Sequence, residues 1–91
     1  MLSIVENIIY GNKLQTVLRI GPYRFHFYSN EYNEPPHIHV ECDDTEVKFW
    51  LEPILLARND GMKAHLVREI EKLIFKNHKY LLEKYNEYHN S

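Results

Sequence analysis

The sequence predicts an α+β fold: an antiparallel sheet of two β-hairpins plus a short strand, packed against one long C-terminal helix. Three observations predict it. Residues 16–28 hold two β-rich runs around the turn dipeptide Gly21-Pro22, and residues 37–51 hold two more around Asp43-Asp44. From about Lys63 to Tyr88 the chain has no Gly or Pro, while Leu66, Ile70, Leu73, Ile74, Leu81, Tyr85 and Tyr88 recur at helical spacing.

The length of 91 residues, 44% hydrophobic and 26% charged, fits one globular domain without room for a second core. A domain this small buries only roughly 60–65% of its unfolded surface and has little stability to spare. A formal net charge of −2 argues against a protein whose main task is to hold a phosphate backbone. Cys42 is the single cysteine, so no internal disulfide can form, and the usage fits an intracellular protein. The first ten residues lack a basic lead and carry Glu6 within their apolar run, which makes a poor signal peptide. No apolar run approaches the roughly 20 residues of a membrane helix. A cytoplasmic protein with no membrane partner is expected.

Residues 1–15 form an N-terminal extension to the domain at 16–91. Ile4, Val5, Ile8 and Ile9 fit one face of a short helix, and Ile8-Ile9-Tyr10 before Gly11-Asn12 fits a strand nearly as well. In the first hairpin a two-residue loop at Gly21-Pro22 pairs Ile20 with Tyr23 and Leu18 with Phe25, and sets Arg19 across from Arg24. Like charges placed so are unfavourable unless something anionic lies nearby. Residues 29–36 are polar and rich in turn formers and form an exposed loop.

The chain is organised around Glu34-Pro35-Pro36-His37-Ile38-His39-Val40. The prolines impose an extended lead-in, and strand alternation then puts His37, His39 and Glu41 on one face and Ile38, Val40 and Cys42 on the other. A two-residue loop at Asp43-Asp44 matches Val40 to Val47 and Ile38 to Phe49, so the apolar faces coincide. It also sets His37 opposite Trp50, His39 opposite Lys48 and Glu41 opposite Glu46. Pro53 ends that strand, and Ile54–Ala57 reads as a short buried edge strand. Asn59 or Asp60 is placed to cap the helix. A single helix over 63–88 would run roughly 39 Å against a radius of gyration of about 12 Å, so its end would overhang the sheet or pack on a partner.

Three readings of His37 and His39 stand side by side. As metal ligands, for zinc or another divalent ion, they need a third donor from His26, His78 or Glu34, with Glu41 extending the set. As general acid and base, with Lys48, Arg24 or Arg58 neutralising a phosphate, they suit RNA cleavage without a metal or other cofactor. As structural groups, they hydrogen-bond the loop and fix its path. His78 beside the apolar stripe reads as a core histidine with its nitrogen satisfied, and Trp50 as packing over His37. Tyr80, Tyr85 and Tyr88 are the candidates for a partner contact.

The segments Val17-Leu-Arg-Ile-Gly-Pro-Tyr-Arg-Phe25, Phe27-Tyr-Ser-Asn-Glu31, Glu34-Pro-Pro-His-Ile-His-Val40, Lys48-Phe-Trp-Leu51 and Leu56-Ala-Arg-Asn59 together resemble the small prokaryotic domain-of-unknown-function family numbered 4160. The resemblance covers about Thr16 to Tyr88. It implies a small cognate partner protein, with the pair forming a toxin–antitoxin module, and a functional centre at His37 and His39. Two features depart from the family pattern: it usually starts near Thr16, and a Trp is common where Tyr85 stands. The expectation is a toxin-like component acting through His37 and His39, with Arg24, Lys48 and Arg58 in support and RNA as substrate. The alternatives are a non-catalytic interaction module and a small metal-binding protein.

Overall fold

A computed structural model describes residues 14–29, 31 and 33–90. Five strands, β1 (Leu14–Ile20), β2 (Tyr23–Tyr28), β3 (His37–Cys42), β4 (Thr45–Leu51) and β5 (Ile54–Asp60), form an antiparallel meander in chain order. Two helices follow, α1 (Ala64–Lys76) and α2 (His78–Asn90). The questions posed by residues 1–13 lie outside the described residues.

Both predicted hairpins form in the expected register. Ile20 pairs with Tyr23 and Arg19 with Arg24 across a turn in which Gly21 takes a φ of +54°, a region open to glycine without steric cost. The anion that the facing arginines call for is internal: Arg24 is ion-paired with Glu41 on β3. In the second hairpin His37 faces Trp50, His39 faces Lys48 and Glu41 faces Glu46. Bulges at Val17 and Ala57, where the register skips a residue, are features that alternation alone does not announce.

The apolar face of the sheet carries Tyr23, Phe25, Phe27, Ile38, Val40, Cys42, Val47, Phe49 and Leu51, all buried under Ile70 and Ile74 of α1 and Leu81 and Tyr85 of α2. The opposite face is polar, and its central row runs Thr16, His26, His39, Lys48, Arg58 across all five strands.

The structure corrects three expectations. The predicted single helix is two, because Asn77 closes α1: its side-chain amide donates to Leu73 O (2.8 Å) and its backbone N–H reaches the same turn. Asparagine competes for backbone groups in this way, so a stretch free of Gly and Pro still breaks. The Asn77 carbonyl then starts α2 by accepting from Leu81 N–H, and His78 Nε2–H donates to Leu51 O at 2.6 Å. The chain has a radius of gyration of 13.1 Å, and Leu81 and Tyr85 of the second helix enter the core instead of overhanging. Second, β5 is longer than Ile54–Ala57 and is not buried beyond Ile54. Leu55 and Leu56 are 56% and 47% exposed: Leu55 pairs with Trp50 and so lies on the polar face away from the helices, and Leu56 stands on the outer strand beside Phe49. Third, neither Asn59 nor Asp60 caps a helix. Lys63 is the N-cap residue, and Asn59 instead locks the preceding turn through Met62 N–H and Met62 O (2.8 and 2.9 Å). No helix among the described residues is long and apolar enough to cross a membrane.

Tyr85 is nearly inaccessible rather than available to a partner, and its hydroxyl donates to Glu34 O at 3.0 Å. This bond ties α2 to the 29–36 loop. Tyr85→Phe is expected to cost about 1 kcal/mol, measured by urea unfolding, without altering the helical signal. Tyr80 spends its hydroxyl on Val17 O (2.9 Å) and fastens α2 to β1.

Candidate metal centre

The double proline and the strand that follows bring His37 and His39 to one face, and both are 1% exposed. Leu51 N–H donates to Pro36 O (2.9 Å), which pins the lead-in to the end of β4. His37 Nδ1 lies 2.9 Å from Pro35 O, and its Nε2 lies 2.9 Å from Glu31 Oε1. His39 Nδ1 lies 3.1 Å from Glu46 Oε2, and its Nε2 lies 2.7 Å from the same Glu31 Oε1. All four ring nitrogens therefore face oxygens. A carbonyl or carboxylate oxygen can only accept, so Nδ1 carries a proton on His37 toward Pro35 and on His39 toward Glu46. Both Nε2 atoms then converge on Glu31.

The three donors His37 Nε2, His39 Nε2 and a Glu31 oxygen lie within 4.8 Å of one another. Burial opposes ionisation of the Glu31 carboxyl, but the hydrogen bonds from His37 and His39 outweigh it and hold the group below its usual range. Around this core stands a second layer. Glu46 accepts from the Tyr28 hydroxyl (3.1 Å), meets His26 Nε2 at 3.3 Å and has Arg58 Nη2 at 3.7 Å. Burial, followed by the Glu46 charge, pushes the Tyr28 phenol up to about 12. Burial also lowers His26 below its ordinary value. His26 stacks on His39 with ring centres 5.6 Å apart, and Trp50 and Tyr85 enclose His37 from two sides.

Of the residues singled out in the sequence, the structure brings His37 and His39 together but supplies a different third donor. Glu34 is ion-paired with Lys48, whose ammonium also sits over the Trp50 ring at 4.7 Å. His78 is engaged with Leu51, and His26 lies on the Glu46 side of His39. Glu41 belongs with Arg24, outside the cluster. Arg58 is ion-paired with Asp60 at 2.9 Å and borders the cluster only through Glu46. Glu31, Glu46 and Tyr28 were not foreseen. The hairpin register already sets Glu46 opposite Glu41, two residue pairs along from His39 and Lys48 on the same face, so its nearness to His39 is open to inference. Glu31 belongs to an irregular loop, and no periodicity marks it.

The fold and site define a small α+β domain whose polar sheet face carries an enclosed cluster of histidines and carboxylates. Residues 23–86 match the family model described as a domain of unknown function, DUF4160, and the chain belongs to that family. No curated protein and no solved structure matches the chain.

Proposed function

We propose that this protein is a small metal-binding domain in which Glu31, His37 and His39 hold one divalent transition-metal ion. The observation that carries the reading is the convergence of two Nε2 atoms on one carboxylate, with both Nδ1–H groups already committed to Pro35 and Glu46. A divalent cation would take the place of the Nε2–H protons that meet Glu31, with two Nε2 lone pairs and one carboxylate then aimed at a common point. Histidines that ligate zinc characteristically donate their other nitrogen to a carboxylate or a backbone carbonyl, the arrangement on both rings here. Metal–nitrogen bonds of about 2.0–2.1 Å need only small side-chain rotations from this spacing. The ion would tie the 29–36 loop to β3, a structural task suited to a domain with a thin core.

RNA cleavage, the chemistry first expected of a toxin-like component, has less support. A general acid or base must reach its substrate, whereas His37 and His39 are enclosed and both nitrogens of each ring are engaged. A partner protein remains part of the proposal on a different surface. Leu55 and Leu56 are exposed on β5, which has an unpaired outer edge among the described residues, the kind of edge to which a strand adds.

The metal reading is tested by stripping the full chain with a chelator and following thermal unfolding with and without zinc. Zinc at 100 times its dissociation constant is expected to stabilise the wild type by about 2.7 kcal/mol and to leave His37→Ala unmoved. An equal shift in both proteins, or none in the wild type, contradicts it.

A further inference from the structure

Within the metal reading, three ligands leave a four-coordinate ion one donor short, and helix α2 carries an uncommitted one. His89 Nε2 is buried without a hydrogen-bond partner. Buried polar atoms in native proteins are overwhelmingly paired, so an orphaned imidazole nitrogen asks for a ligand. Tyr85 and His89 are four residues apart and share one face of α2. The His89 ring lies 4.2 Å from that of Tyr85, which in turn lies 5.8 Å from the ring of His37. The His89 nitrogens stand outside the set of donors that lie within 4.8 Å of one another, so ligation takes a turn of the His89 side chain past Tyr85 toward Glu31 and His37. The other orphaned nitrogen, Nδ1 of His26, belongs to a ring that meets Glu46, on the Nδ1 side of His39 and away from Glu31.

We propose that His89 is the fourth ligand, so that the ion is held by Glu31, His37, His39 and His89. This inference rests on the three-ligand reading and extends it. Three imidazoles and one carboxylate complete the four-coordinate shell that zinc takes, from the nitrogen and oxygen donors it accepts. The ion then joins three separate pieces of chain: the 29–36 loop through Glu31, strand β3 through the histidine pair, and the last turn of α2 through His89. Metal binding and the docking of α2 become one equilibrium, since each fixes groups that the other needs.

Cobalt(II) in the metal-stripped full chain tests this. The wild type is expected to show the strong visible absorption of four-coordinate cobalt. In His89→Cys the same ion should gain a thiolate-to-cobalt charge-transfer band in the near ultraviolet. The wild type should lack that band, because Cys42 is buried on the apolar face of the sheet. His89→Ala should weaken cobalt binding by roughly tenfold or more and reduce the visible absorption. Should the alanine variant fray the helix, the cysteine variant still decides, because it reads a gained signal. No charge-transfer band in His89→Cys, together with unchanged affinity in His89→Ala, overturns the role of His89 while leaving the three-ligand site standing. Failure of the wild type to bind cobalt overturns both.

Discussion

His39→Ala is expected to abolish metal binding and to destabilise the metal-free protein by about 3 kcal/mol. His39 is the point at which two carboxylates meet: Glu46 on its Nδ1 and Glu31 on its Nε2. Deleting the ring leaves both without their charge-assisted partner and empties a fully enclosed volume beside His26 and Tyr28. Removing one member of a buried pair generally costs about 3–5 kcal/mol. The lower end applies here, because Glu31 and Glu46 keep about a fifth of their side chains in water. Urea unfolding with chelator present isolates the structural part, and zinc titration reads the metal part. A loss below about 1 kcal/mol in the chelated protein would mean that the carboxylates do not depend on His39.

Phe27→Ala is the second large effect, with an expected cost of about 3–5 kcal/mol against a total stability of roughly 5–15 kcal/mol. Phe27 is fully buried, and its ring meets those of Tyr85, Tyr88 and His89. It is therefore the seat of α2 on the sheet. The consequence reaches the site: a loosened α2 takes Tyr85 from Glu34 and from the His37 ring, and carries His89 away with it. Equilibrium unfolding should show a lower midpoint, and cobalt affinity should fall in the same variant although no first donor has been changed. Preserved stability would contradict the docking of α2 through this ring.

How far the sequence discloses this molecule follows from what each segment is paired with. The hairpins are legible because alternation and two-residue turns leave one register that buries Val40 with Val47 and Ile38 with Phe49. That register alone puts His37 and His39 on one face. The helix break at Asn77 is not legible, since its cause is one side-chain amide choosing a carbonyl within its own helix over water. The exposure of Leu55 and Leu56 is equally hidden: apolar composition suggests burial, but Leu55 falls on the polar face beside Trp50 and Leu56 on the outer edge strand. Glu31 escapes because loop residues carry no period, and only the folded path reveals which carboxylate reaches the histidines. His89 escapes for a related reason, because its meaning lies in the turn of α2 that Phe27 and Tyr85 set against the loop.

The most direct test of the account is equilibrium dialysis of the metal-stripped wild type and of His37→Ala/His39→Ala against zinc, followed by elemental analysis of the folded protein. One zinc per wild-type chain and none in the double variant is the expected result. Retention of no zinc by the wild type, or of equal amounts by both, would contradict it.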